Sequence, residues 1–185
     1  MKGYMIHNAY IILLVVCILP SCTSKTKNKG VKFNGKQHKI AYSQIHPCEN
    51  NNNAHYINTH LMFFKEGQLI KADSLQTCVV KMNGDTLQIL LIGTGNAGNS
   101  ILIKAFHDSY QSYIEFWSDY NEFNGKNKIV LPLNRTSLVL NKRSYTINDT
   151  IIGEFECNDK VHSVFFNGEI EIKSTGCFNS IVCKD

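Results

Sequence analysis

In two stretches, 151–157 and 169–173, the chain alternates polar and apolar side chains with a period of two. In 151–157 (IIGEFEC), Gly153, Phe155 and Cys157 share one parity, and Glu154 and Glu156 the other. In 169–173 (EIEIK), Ile170 and Ile172 take the apolar side. Successive side chains of a strand point to opposite faces, so this pattern specifies antiparallel strands with one face in a core and one in water. Shorter apolar runs precede it. Residues 61–64 and 69–70 flank Lys65-Glu66-Gly67-Gln68, and residues 77–82 and 86–92 flank Asn83-Gly84-Asp85. Asn-Gly between apolar runs is a strong hairpin signal because both residues tolerate positive φ. Further strand-like runs lie at 101–106, 129–133, 137–140 and 144–147. Many short strands separated by Asn/Gly turns predict an all-β domain, an antiparallel β-sandwich or a barrel-like fold. One segment reads two ways. Tyr110, Tyr113, Ile114, Trp117 and Tyr120 fall at the i, i+3, i+4, i+7 and i+10 spacing of a helix. The stretch 113–117 is also aromatic enough for a strand. One short helix across the β-domain is therefore allowed.

The N-terminus carries a different message. Lys2 precedes an uninterrupted apolar run at 11–19 (IILLVVCIL), which ends in Leu19-Pro20-Ser21-Cys22. A charged end, an apolar core of about 7–15 residues and a small residue before the cut make an export signal. A membrane-spanning helix needs about 20 apolar residues. Leu-x-Ser-Cys at this place resembles the lipobox of bacterial lipoproteins, which implies cleavage after Ser21 and a lipid on the Cys22 sulfur. Cys17 leaves with the signal. The expected organisation is a signal peptide at 1–21, a lipidated Lys-rich tether at 22–39, and one β-rich domain at 40–185. Seven of the 19 Lys and Arg residues lie before residue 40, where there is no acid. The domain therefore keeps 12 basic against 15 acidic residues. The basic run reads as a solvated leash suited to anionic headgroups. An exported chain with an acidic domain argues against a nucleic-acid partner. About 146 residues suffice for one core.

Cys48, Cys78, Cys157, Cys177 and Cys183 remain as candidate disulfide cysteines in a compartment that permits disulfides. Five is odd, so at least one thiol stays free or pairs between chains. Cys177 and Cys183 bracket a short segment that a bridge would close. Burial as small apolar side chains is the equal alternative. No C-x-x-C spacing supports a zinc-ribbon or a thioredoxin-like site.

Four groups of residues invite a chemical reading. Gly93-Thr94-Gly95-Asn96-Ala97-Gly98 matches the G-x-G-x-x-G of dinucleotide sites, with Glu115 where a ribose-binding acid would stand. The following NSILIKAF reads as a strand, however, so a hairpin loop is favoured and no cofactor is expected. His46, Cys48, His55 and His60 are metal-ligand types, but their spacing fits neither a strand face nor a helix face. No metal is expected. Glu154, Glu156, Glu169 and Glu171 can share one face, where acid–base chemistry or calcium binding is conceivable. The wet side of an amphipathic sheet, with Lys160 and Lys173 relieving repulsion, is the favoured reading. Tyr113, Trp117 and Tyr120 are the best candidates for a ligand-facing aromatic patch, against a role in the core.

The residues Ile152-Gly153-Glu154-Phe155-Glu156-Cys157, followed by Asn167-Gly168-Glu169-Ile170-Glu171-Ile172, resemble an "isGxFxF … dGxF" ending found in small lipoproteins of Bacteroidota. The run Asn83-Gly84-Asp85-Thr86-Leu87-Gln88-Ile89 is compatible with it. The resemblance covers about residues 60–173 and implies a β-sandwich-like domain in the cell envelope, with no activity attached. The expectation is a membrane-anchored, non-enzymatic binding or accessory module for a protein, peptide or glycan. Thr23 and Ser24 run into Lys and lack the acidic run that resembles a surface-export signal of Bacteroidota, so the outer membrane, facing the periplasm, is the expected location. An envelope hydrolase using the carboxylate face or the His/Cys loop is one alternative. An immunity or inhibitor protein is another.

Overall fold

The computed structural model describes residues 35–45, 56–93, 97–119, 127–163 and 166–185, all within one compact unit, Phe33–Asp185. The expected all-β class is what it has, with no helix among the described residues. Twelve strands follow in order: β1 (His38–Lys39), β2 (Ala41–Tyr42), β3 (Tyr56–Lys65), β4 (Gln68–Leu75), β5 (Thr77–Asn83), β6 (Thr86–Ile92), β7 (Ala97–Phe106), β8 (Ser109–Ser118), β9 (Lys128–Leu133), β10 (Thr136–Leu140), β11 (Thr150–Ser163) and β12 (Gly168–Lys184).

Local chemistry sets the turns. β3 and β4 are joined by Glu66 and Gly67, both with positive φ (51° and 78°), as a two-residue loop matching the strand twist requires. Gly84 (φ 58°) opens the loop between β5 and β6, at the Asn-Gly seen in the sequence. The strands make one nearly closed, barrel-like sheet. One wall runs β4-β3-β12-β11-β10-β2. The other runs β5-β6-β7-β8, and β1 and β9 share the far edge of β8.

Closure depends on segments that pass from wall to wall, as strands do at the corners of orthogonally packed sheets. β12 pairs with β11 along one edge. Its other edge serves β3 and then, through Val182–Lys184, β5 in the opposite wall. β4 turns into β5 at Gln76, whose N–H donates to Ile92 O (2.8 Å). β9 turns into β10 at Asn134 and Arg135. β1 turns into β2 at Ile40, whose N–H donates to Asp108 O (2.9 Å).

The inward row of β11 is Ile151, Gly153, Phe155, Cys157, Asp159, Val161 and Ser163, and Ile170 and Ile172 of β12 face it, as the alternation demands. With Leu61, Phe63, Ile89, Leu91, Ile101, Ile103, Ile114, Phe116 and Phe178 they make one continuous core.

One open reading is decided and two expectations need correction. The stripe at 110–118 belongs to strand β8, not to a helix. Tyr110, Ser112, Ile114 and Phe116 are buried on one face. On the other, Tyr113 and Glu115 are buried as well. A strand covered on both faces is apolar on both parities, which imitates helical spacing. Residues 144–147 are no strand. Asp149 accepts from Thr146 N and Oγ1 (2.7 and 3.1 Å), and Asn141 Oδ1 accepts from Tyr145 O–H (2.8 Å), so this stretch curls into a side-chain-braced turn. Finally, the end of the stretch read as a tether is part of the fold. His38 and Lys39 pair with Tyr110 and Ser109, and Gly35 O accepts from Gln111 Nε2 (2.7 Å). An otherwise free edge of β8 gives these polar residues backbone partners, which composition does not reveal.

Candidate functional site

The corner between β9 and β10 is a braced polar feature of the fold. Asp159, inward-facing and 5% exposed, accepts from the backbone N–H of Asn134 (2.5 Å) and of Lys160 (2.9 Å). Asn158 N–H donates to Arg135 O (3.0 Å). One residue on, Thr136 Oγ1 lies 3.2 Å from Tyr110 Oη and 3.0 Å from Ser112 Oγ. The His38 ring packs on Tyr110 with centroids 5.3 Å apart. These contacts hold the backbone beneath Arg135 in one place.

Beside this corner lies a cleft of about 610 Å³ whose lining includes Lys36, His38, Arg135, Glu156, Lys173 and Ser174. Burial, and then the charge of Lys36, lowers the His38 pKa below its ordinary value, keeping the imidazole neutral. His38 Nε2 and Ser174 Oγ are buried without a hydrogen-bond partner. Cys157 borders the cleft, but its thiol points into the core and is no nucleophile. Burial, and then the Asp159 charge, push its pKa up to about 12, and its contact with Ile172 O is 3.8 Å. The arrangement offers fixed cationic and neutral donors, which is the equipment of a binding site. A second concavity of about 270 Å³ is lined by Tyr42, Leu87, Arg143 and Tyr145 among others. Its polar groups are engaged with one another: Tyr42 O–H donates to Asp108 Oδ1 (3.1 Å), Arg143 sits over the Tyr42 ring (5.3 Å), and Tyr145 donates to Asn141.

Residues singled out from the sequence fall as follows. Tyr113 and Trp117 do share a face of β8, but Tyr113 is fully buried and is no ligand-facing surface. The chain's own Gly35 lies against it, and its hydroxyl donates to Gln111 Oε1 (3.0 Å). Trp117 packs over Gly98, and Tyr120 lies outside the described residues. Between Tyr113 and Trp117, Glu115 is 4% exposed, paired with Lys128 (2.7 Å) and accepting from Ser100 Oγ (2.9 Å). It is a braced structural carboxylate.

Gly93 and Gly98 flank a connection between antiparallel β6 and β7, with Gly93 N–H donating to Asn99 O (3.0 Å). A strand follows, so there is no helix N-terminus to receive a pyrophosphate. Glu169 and Glu171 pair with Lys160 and Lys173 (3.2 Å each) on the outward face, the wet side of the sheet. His60 Nδ1 is 3.4 Å from Ser74 Oγ. Its sequence neighbours His46, Cys48 and His55 lie outside the described residues, as does Cys22. No metal-ligand group occurs among the described residues.

The expected pairing of cysteines is corrected in part. Cys78, Cys157 and Cys183 are free thiols, so Cys183 closes no loop with Cys177. Cys78 and Cys157 take inward strand positions where a thiol packs as an apolar group. Cys177 is disulfide-bonded.

Of the charged cleft residues, only Glu156 and Lys173 stand out in the sequence, and there as parts of a wet sheet face. Lys36 falls in the stretch read as a tether, and Arg135 stands alone in sequence. Only the topology gathers them, and no local spacing announces it.

In class, then, this is a barrel-like all-β domain with a cation-lined cleft beside one braced corner. No protein-family model matches the chain, and neither a curated protein nor a solved structure matches it.

Proposed function

We propose that this chain is a lipoprotein of the bacterial cell envelope, anchored through Cys22 and facing the periplasm from the outer membrane, whose β-domain is a non-enzymatic binding module. The address rests on the charged end, the nine-residue apolar run and the Leu-x-Ser-Cys that resembles a lipobox. Several acyl chains on one residue anchor firmly, at about 0.8 kcal/mol per buried CH₂. The binding role rests on one observation: a preformed cleft held by a braced corner and lined by Lys36 and Arg135, which have no ion pair among the described residues. The resemblance to small lipoproteins of Bacteroidota agrees with the address and carries no activity.

The test is the intact mass of protein extracted from membranes of the native host. The expected mass begins at Cys22 and includes acyl chains. A mass that retains Met1, or that begins at Cys22 without acyl chains, refutes the anchor.

A further inference from the structure

The cleft draws positive charge from three places distant in sequence. Lys36 precedes β1, Arg135 sits on the corner before β10, and Lys173 stands in β12. Lys173 shares Glu171, which is outside the lining. Lys36 and Arg135 have no ion pair among the described residues. Glu156 is the one carboxylate among the lining residues, and it accepts from Ser137 Oγ at 3.5 Å. Like charges gathered round a concavity raise its potential and attract an anion.

Two further observations point to a ligand. His38 Nε2, on a lining residue, is buried without a partner. Buried polar atoms in native folds are nearly all bonded, so such an orphan marks a place where another molecule belongs. The corner carrying Arg135 is also fixed before any ligand arrives, through Asp159 and Asn158. Pre-ordering of this kind reduces the entropy lost on binding.

We propose that this cleft binds a glycerol phosphate group, carried either by a lipid headgroup or by a small soluble phosphate ester. The guanidinium of Arg135 matches two phosphate oxygens with its planar fork, while Lys36 and Lys173 act as point charges. Glu156 cannot face phosphate oxygens, so it meets a hydroxyl donor, which the glycerol part supplies. A volume of about 610 Å³ is larger than a bare phosphate needs and suits an ester. The inference deepens the binding-module reading but does not depend on the anchor. Phosphate binding can fail while the mass at Cys22 holds, and the reverse.

The experiment uses the full chain in nanodiscs and follows the amide resonances of Arg135 and Thr136 and the His38 imidazole. One arm titrates glycerol 3-phosphate into phosphatidylcholine discs. The other replaces part of that lipid with phosphatidylglycerol and adds no free phosphate. A saturable shift in the first arm assigns a soluble ester, and a shift in the second arm alone assigns the headgroup. Arg135→Gln is expected to weaken binding about ten-fold or more, since it removes a charge-assisted pair. Lys36→Gln should weaken it several-fold. Glu156→Gln should narrow the preference for glycerol phosphate over inorganic phosphate. Lys142→Gln, at a lysine paired with Asp149 elsewhere, should change nothing. Arg135 and Lys36 are exposed, so these variants fold. No saturable shift in either arm overturns the proposal. Equal weakening by Lys142→Gln and Arg135→Gln also overturns it, because only diffuse charge would then be acting.

Discussion

Gly153 and Phe178 are directly opposite in the β11–β12 ladder, and the wholly buried Phe178 ring occupies the space a side chain at 153 would use. A Cβ on Gly153 would stand 2.2 Å from Phe178 Cζ and 2.8 Å from both Cε atoms. Carbon atoms rest at about 3.5–4.0 Å, so Gly153→Ala must drive the ring back by more than about 1 Å. The core is close-packed and has no room to receive it. Overpacking of this kind costs about 1–3 kcal/mol. Replacing a strand glycine by alanine returns about 0.5–1 kcal/mol of backbone entropy. The net expectation is a loss of about 1–2 kcal/mol. Phe178→Leu shortens the offending ring and alone costs roughly 1–2 kcal/mol of buried apolar contact. In the double variant the clash is gone while the entropy gain stays. The two changes should therefore couple by at least about 1 kcal/mol in the favourable direction. Urea unfolding of all four proteins, compared by midpoint at a common m-value, reads this coupling. Strictly additive losses would refute the assignment of Phe178 as the cover of Gly153.

The thiols give a chemical prediction. Burial raises Cys78 and Cys157 from 9.0 to about 12. In the native protein an alkylating reagent should modify the exposed Cys183 and spare both others, and in urea all three should react; prompt native labelling of Cys78 would contradict the packing. Because the folded pKa lies above the unfolded one, the stabilisation from these thiols is complete below pH 9. It is lost as pH rises toward 12, as the unfolded chain releases protons the folded chain keeps. Each thiol contributes on the order of 2 kcal/mol of that loss by pH 10.5. Urea midpoints should fall from pH 8 to pH 10.5, and Cys78→Ala should reduce the slope. Lys128→Met leaves the buried Glu115 carboxylate without its ion pair, with the Ser100 hydrogen bond and the charge of Lys104 remaining. Since Lys128 is itself about half exposed, a loss of about 1–2 kcal/mol is expected in thermal unfolding, with Glu115→Gln costing less. An unchanged midpoint for Lys128→Met would show that the pair carries no stability.

Legibility followed the number of wet faces. β11 and β12 have one dry and one wet side, so the alternation at 151–157 and 169–173 announced strand and face. Hairpin turns with an obligatory positive φ, at Glu66-Gly67 and at Gly84, were equally readable because the constraint is local. β8 was ambiguous because Tyr113 and Glu115 are covered as thoroughly as Tyr110 and Phe116. Nothing in β8 itself encodes that cover, which comes from Gly35 over Tyr113 and from Ser100 and Lys128 at Glu115. The cleft was unreadable for the same reason. Lys36, Arg135 and Lys173 meet only because three corner segments close the barrel, and long-range closure leaves no periodic trace. The residues that did stand out in sequence, such as Glu115 and Cys157, proved to be satisfied inside the fold.

The stretch 35–42 joins these threads, because it ends the proposed leash and also closes one corner of the barrel. A chain begun at Ile40, where composition alone puts the domain boundary, loses the β1 pairing with β8, the His38–Tyr110 contact and the bond from Gln111 Nε2 to Gly35 O. It also uncovers Tyr113. A net hydrogen bond is worth about 1 kcal/mol and an uncovered aromatic face about as much again, so this chain should be less stable than one begun at Phe33 by about 3 kcal/mol. Tyr113 gives the assay its specificity. Its hydroxyl has a pKa raised by burial, and that rise should shrink when the cover goes, so the tyrosine absorbance titration should shift toward lower pH as the urea midpoint drops. If the two chains have equal midpoints and equal titrations, residues 35–39 are leash after all. The wall of the cleft that contains Lys36 and His38 would then have to be withdrawn with them.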